Sequence, residues 1–156
     1  MLRCLLFLLF VSTINCQTRK EMKKESTIAF RLLPGEDLKT GIEKKIKDEN
    51  VQAGWIKTCV GSLTDYSIRF ANQQEAAKGS GHFEIVSMVG TVSVNGSHIH
   101  ISISDSTGKT IGGHLMDGCR IYTTAEIVLG ISQDLIFTRE KDTVTGWQEL
   151  KVEKKR

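Results

Sequence analysis

The chain has 156 residues, of which 40% are hydrophobic and 25% charged, with a formal net charge of +3. That length fits one domain with a real core, and the charge balance is too even to mark a nucleic-acid surface by itself. Fourteen glycines against one proline favour a sheet-rich fold with many tight turns.

Met1-Leu2-Arg3-Cys4 carries one positive charge ahead of the apolar run 5–11, and polar residues from Ser12 to Gln17 follow. A basic start, a short apolar centre and a polar exit read as a secretory signal peptide over residues 1–16, with secretion expected. The run is too short for a stable membrane span. Cleavage after Cys16 removes two of the four cysteines and leaves Cys59 and Cys119, whose pairing stays open. Residues 17–26 are charged and aperiodic, a flexible leader.

Residues 27–33 read as a strand ended by Pro34-Gly35. Leu38, Ile42 and Ile46 then recur at helical spacing behind Glu36-Asp37, so a helix is expected with Asp37 as its cap. Lys44, Lys45 and Lys47 are neutralised by Glu43, Asp48 and Glu49, as on a solvated helix face. Strand character returns over 53–64 and 66–71, a polar loop spans 72–81, and a long strand covers 82–94. Asn95-Gly96 is a turn signal, and Asn95-Gly96-Ser97 is also a glycosylation sequon usable on export. Further strands are expected over 98–104, 110–115, 119–129 and 134–139, with a last short element around Trp147 to Val152. The fold class is therefore α+β, a mostly antiparallel sheet of about seven strands with one main flanking helix.

The most informative stretch is Ser97-His98-Ile99-His100-Ile101-Ser102-Ile103-Ser104, a turn over 105–109, then Thr110-Ile111-Gly112-Gly113-His114-Leu115. Strict alternation puts His98 and His100 on one face of a strand, roughly 6.5–7 Å apart at Cα. A hairpin centred on Thr107, with Gly108 in its left-handed position, pairs residue 100 with residue 114. Paired residues share a face, so three imidazoles converge there. A lone His-X-His would ordinarily just hydrogen-bond to neighbours such as Ser102 and Ser104. The third histidine in register points instead to a divalent transition metal with one open position, zinc being the first choice. Nickel, copper and iron also suit imidazole.

Pro34-Gly35-Glu36-Asp37-Leu38, Gly61-Ser62-Leu63, Gly81-His82-Phe83-Glu84-Ile85-Val86-Ser87 with Gly90-Thr91, His98-Ile99-His100, Gly112-Gly113-His114-Leu115 and Thr124-Ala125-Glu126-Ile127 follow in order. Together they resemble the PPC domain, the plants and prokaryotes conserved domain, over residues 27–140, leaving 141–156 as a C-terminal extension with a basic tail. The resemblance implies a compact sheet with a flanking helix, assembled as a homotrimer. It further implies that His98, His100 and His114, which match the three histidines of the non-plant branch, form a metal-binding unit. Plant relatives join the domain to AT-hooks with an Arg-Gly-Arg-Pro core. This chain has no such core, its one proline being Pro34, so DNA binding is not expected.

Two function classes follow. The first is a secreted homotrimeric binding module whose metal site is structural or receives a small molecule or protein. The second is a metal-dependent hydrolase or lyase using zinc-bound water, with Glu126 assisting or orienting a ligating imidazole and Tyr122 and Asp117 behind it. A plain surface acid is the simpler reading of Glu126. His82 stands apart and suits a strand-edge hydrogen bond, whereas Arg31 and Arg69 lie in amphipathic strands and could receive an anion. No phosphate-cradling loop, activated nucleophile or dinucleotide fingerprint is present.

Overall fold

Alternating and β-branched segments become strands wherever one face can be buried, and eight of them form in the computed structural model, which describes residues 25–156. In chain order they are β1 (Glu25–Leu32), α1 (Leu38–Asp48), β2 (Ala53–Arg69), β3 (Ala77–Ser93), β4 (Gly96–Ser104), β5 (Thr110–Leu115), β6 (Arg120–Ser132), β7 (Leu135–Lys141) and β8 (Gln148–Lys154). The proposed signal peptide and most of the leader lie outside the described residues. Among those described, no helix is long and apolar enough to cross a membrane.

Six strands form one antiparallel sheet in the order β1-β6-β2-β3-β4-β5, and β7 and β8 make a separate hairpin. The sheet curls until β5 meets the far end of β2, where Ile68 pairs with Leu115 and Arg69 with His114. Ile68, Leu63, Ile101, Ile103, Ile121, Ile127 and Leu129 fill the interior with Leu38 and Ile42 of the helix. Each such side chain contributes about 1.5–3 kcal/mol on burial.

The helix forms where expected. Its Asp37 cap accepts from Thr40 N at 2.9 Å and also from Gly118 N at 2.7 Å, tying the helix start to the turn before β6. Both acids, Glu36 and Asp37, precede the first turn, which itself holds no acid, while Lys45 and Lys47 occupy the last turn and favour the negative end of the dipole.

Four expectations change. Among the described residues the strand count is eight rather than about seven. Residues 53–69 are one strand, because Thr64-Asp65 makes a bulge in the pairing with β3 and β6 instead of a turn. The loop expected over 72–81 is shorter, since β3 already pairs from Ala77 with Ile68. The last element is a full strand whose mostly exposed side chains weaken its hydrophobic signal.

The β7–β8 hairpin is stitched to the main sheet through its backbone. Phe137 N donates to Gln52 O at 2.9 Å, and Val94 N donates to Phe137 O at 3.0 Å. Asn95 clamps Arg139 from both sides, accepting from its N at 2.7 Å and donating Nδ2 to its carbonyl at 2.9 Å. Asn95 thus serves the turn after β3 with its side chain fully engaged. Cys59 and Cys119 are buried free thiols, raised by burial to about 12 and about 11 respectively.

Candidate metal centre

Strand β4 has two faces. Ile99, Ile101 and Ile103 point into the core, so His98 and His100 point out. The turn after β4 is set by Asp105, whose carboxylate accepts from Thr107 N at 2.8 Å and Lys109 N at 3.1 Å, with Gly108 at φ +81. This loop places His114 directly opposite His100, the register expected from the hairpin arithmetic. Gly113 secures β5 from its other side: an added Cβ there would lie 2.5 Å from Arg69 O, so only glycine lets β5 close onto β2.

His98 Nε2, His100 Nε2 and His114 Nδ1 form a triangle with all three sides 3.2 Å. Nitrogens bound at 2.0–2.1 Å at tetrahedral angles would stand about 3.3 Å apart. Protons satisfy three converging lone pairs only pairwise, whereas one cation at the centre satisfies all three together. The ring atoms therefore fit a metal without rearrangement. Two of the imidazoles, His98 and His114, are also held toward the neutral, ligating form. Burial, then His100, Arg139 and Arg69, lower the His98 pKa against an opposing Glu149. Burial, then Arg69 and the other two histidines, lower His114 to about 4.

Other residues singled out in the sequence lie elsewhere. Glu126 is exposed on β6, opposite Val60 of β2 and Arg31 of β1. His114 meets β2 nine residues further on, at Arg69, roughly 30 Å along the strand. The structure does not bring Glu126 to the imidazoles. Asp117 pairs with Lys39 at 2.9 Å, and Tyr122 stacks on His82 at 4.3 Å between centroids, so His82 has an aromatic partner instead of a strand-edge hydrogen bond. Arg31 donates to Thr124 Oγ1 at 2.8 Å.

Arg69 alone of those secondary candidates borders the histidines. It lines a groove of about 1020 Å³ together with His98, His114, Arg139, Trp147 and Glu149. The Arg69 guanidinium lies 5.9 Å from the Trp147 ring centre and donates to Gln73 O at 3.1 Å. Arg139, Trp147 and Glu149 escape sequence reasoning because they arrive on the β7–β8 hairpin, whose pairing onto the main sheet leaves no local motif.

A family model described as the Plants and Prokaryotes Conserved (PCC) domain matches residues 19–133. The bifunctional protein GlmU of Synechococcus sp. (strain JA-3-3Ab) is 44% identical over 125 residues, which are 80% of this chain and 20% of that protein. The chain thus spans about one fifth of the length of the curated relatives it matches. A hypothetical protein of Salmonella enterica superposes with a TM-score of 0.84 at 35% identity, covering 86% of this chain and 98% of the other. A metal-containing protein of Archaeoglobus fulgidus gives 0.66 at 26% identity, over 80% and 91%. A protein of Bacteroides thetaiotaomicron named as a candidate DNA-binding protein shares the fold alone, at 15% identity and 0.69 over 85% and 97%.

Proposed function

The chain belongs to the Plants and Prokaryotes Conserved (PCC) domain family, and on that premise we propose that it is a homotrimeric binding module whose His98, His100 and His114 hold a divalent transition metal, zinc being the first choice. The equal 3.2 Å triangle of ring nitrogens carries this reading. Its likeness to a metal-containing archaeal protein supports it. His98, His100 and His114 would hold the ion, which when bound would supply Lewis acidity toward a ligand oxygen or nitrogen. The chain's own part is to present three converging imidazoles on one hairpin and to leave the groove beside them open.

Self-association is supported by apolar side chains left on the outer face of the central strands: Val60, Val86 and Val89 are 58%, 56% and 59% exposed. Neighbouring exposed valines mark a surface that gains from being covered. Export to the secretory pathway, with loss of residues 1–16, is part of the same proposal and is supported by Arg3 and the apolar run behind it. DNA stands outside it, because the Arg-Gly-Arg-Pro core is not in this sequence.

Native mass spectrometry with metal analysis tests all of this on one sample of chain recovered from an exporting host. The expected result is a trimer with about one metal per chain, beginning after Cys16, and loss of the metal in His98→Ala/His100→Ala. A monomer across dilution would refute the assembly, and a wild-type chain without metal would refute the site. An A·T-rich duplex that shifted the chain in a gel would return DNA to the list of partners.

A further inference from the structure

Beside the histidines, the groove holds two arginines, Arg69 and Arg139, that form no ion pair among the described residues. Arg139 is buried at 9% exposure. Its Nη2 donates to Thr91 through the hydroxyl and, at 3.5 Å, the carbonyl. Its Nε is buried with no hydrogen-bond partner among the described residues. A guanidinium carries five donors and stays charged, and a buried charge is ordinarily paired. Among the described residues no carboxylate lies within 4.0 Å of Arg139 or Arg69. Lys39, also on the groove, is by contrast taken up by Asp117 and Glu43. The one acid whose charge reaches Arg139 is Glu149, and its carboxylate accepts from Thr145 Oγ1 at 3.0 Å.

Three elements hold these groups in place. Arg69 stands at the end of β2 directly opposite His114. Arg139 is locked by the Asn95 clamp and by Thr91, which pairs with His98 across β3 and β4. Trp147 forms the outer wall, 67% exposed although it contacts Arg69. Two arginines without a carboxylate partner among the described residues outnumber the one acid lining the groove, and a divalent ion on the histidines would add further positive charge. The groove therefore offers a flat aromatic wall, two fixed guanidinium groups and, on the reading above, an open metal position.

We propose that this groove binds a small oxyanion, a carboxylate or phosphate ester carrying a planar apolar body, with the anionic group between Arg69, Arg139 and the three-histidine site and the body against Trp147. The contribution of the metal rests on the function proposed above, whereas that of the two arginines does not.

The test uses the full chain, metal-free and loaded with cobalt(II), titrated with phenyl phosphate, benzoate, inorganic phosphate and neutral benzyl alcohol. Visible absorption follows the metal's coordination, and tryptophan fluorescence follows the groove. Phenyl phosphate or benzoate is expected to change the cobalt spectrum and the fluorescence together, the fluorescence change being lost in Trp147→Phe. Charge-assisted bonds of this kind contribute enough that Arg69→Gln and Arg139→Gln should each weaken binding about tenfold, and Arg31→Gln should not. Arg69→Gln, at a less buried position, keeps the test alive should Arg139→Gln fold poorly. Tighter binding of phenyl phosphate assigns a phosphate ester, and tighter binding of benzoate a carboxylate. Equal binding of benzyl alcohol, or affinities unmoved in both arginine variants, would overturn the inference. If no cobalt is taken up, the metal reading fails. The inference then stands only if an oxyanion still quenches the metal-free chain and Arg69→Gln abolishes the quench.

Discussion

Gly90→Ala would strike the proposed metal site from the far side of a strand pair. Gly90 lies on β3 opposite Ile99 of β4. A Cβ at that position would sit 2.3 Å from His98 O and 2.7 Å from Ile99 Cα, where real Cβ contacts stay above 3.0 Å. Opening 2.3 Å to 3.0 Å requires about 0.7 Å of movement, and both near atoms belong to the β4 backbone. Metal ligation tolerates only about 0.2 Å, so displacing the His98 backbone by that amount spoils the triangle. The expected loss is about 10–100-fold in metal affinity, as for supporting residues of metal sites generally, together with about 1–3 kcal/mol of stability from overpacking. Chelator competition reads the first and urea denaturation of the metal-free chain the second. A variant matching wild type in both would show that β3 and β4 have room that the close approach denies, and the reasoning would fall.

Ile101→Ala, at 2% exposure on the buried face of β4, should cost about 2–5 kcal/mol in urea denaturation. Asp37→Ala removes the helix cap and the Gly118 contact together and should cost about 1–2 kcal/mol by the same assay. The metal-free chain should melt lower as pH falls from about 6.5 toward about 4, because His114 and His98 are depressed in the folded state and the unfolded chain binds more protons in that window. Above pH 6.5 that effect should vanish, and His114→Ala should flatten it; an unchanged slope in His114→Ala would count against the assignment.

Much of the histidine face was legible because period-2 alternation and hairpin symmetry are local properties. His100 opposite His114 follows from the position of Gly108 and the isoleucine pattern alone. The helix was equally readable from Asp37 and the spacing of Leu38, Ile42 and Ile46. The bulge at Thr64-Asp65 was not, since polar residues in a long strand resemble a turn until the partner strands are known. Glu126 stands out through its motif and its chemistry, but strand register decides proximity, and it meets β2 at Val60, nine residues from the Arg69 that faces His114. The arginines of the groove come from opposite ends of the chain's pairing scheme. Arg69 reads in the sequence as an amphipathic-strand cation able to receive an anion but without a link to the histidines, and Arg139 becomes visible once Asn95 anchors β7.

The alternation along β4 makes the strand two interleaved messages, isoleucines spelling the interior and histidines the exterior. A register slip of one residue would exchange them, turning imidazoles inward and isoleucines to water. The loop from Asp105 to Lys109 is what forbids that slip, through the Asp105 carboxylate and the left-handed Gly108. Its length is therefore as much a specification of the proposed metal centre as any histidine, although no atom of the loop is among the three converging nitrogens. Selection on ligand chemistry and on fold can proceed along the same seven residues, His98 to Ser104, without interfering, provided that nothing is inserted or deleted in that turn.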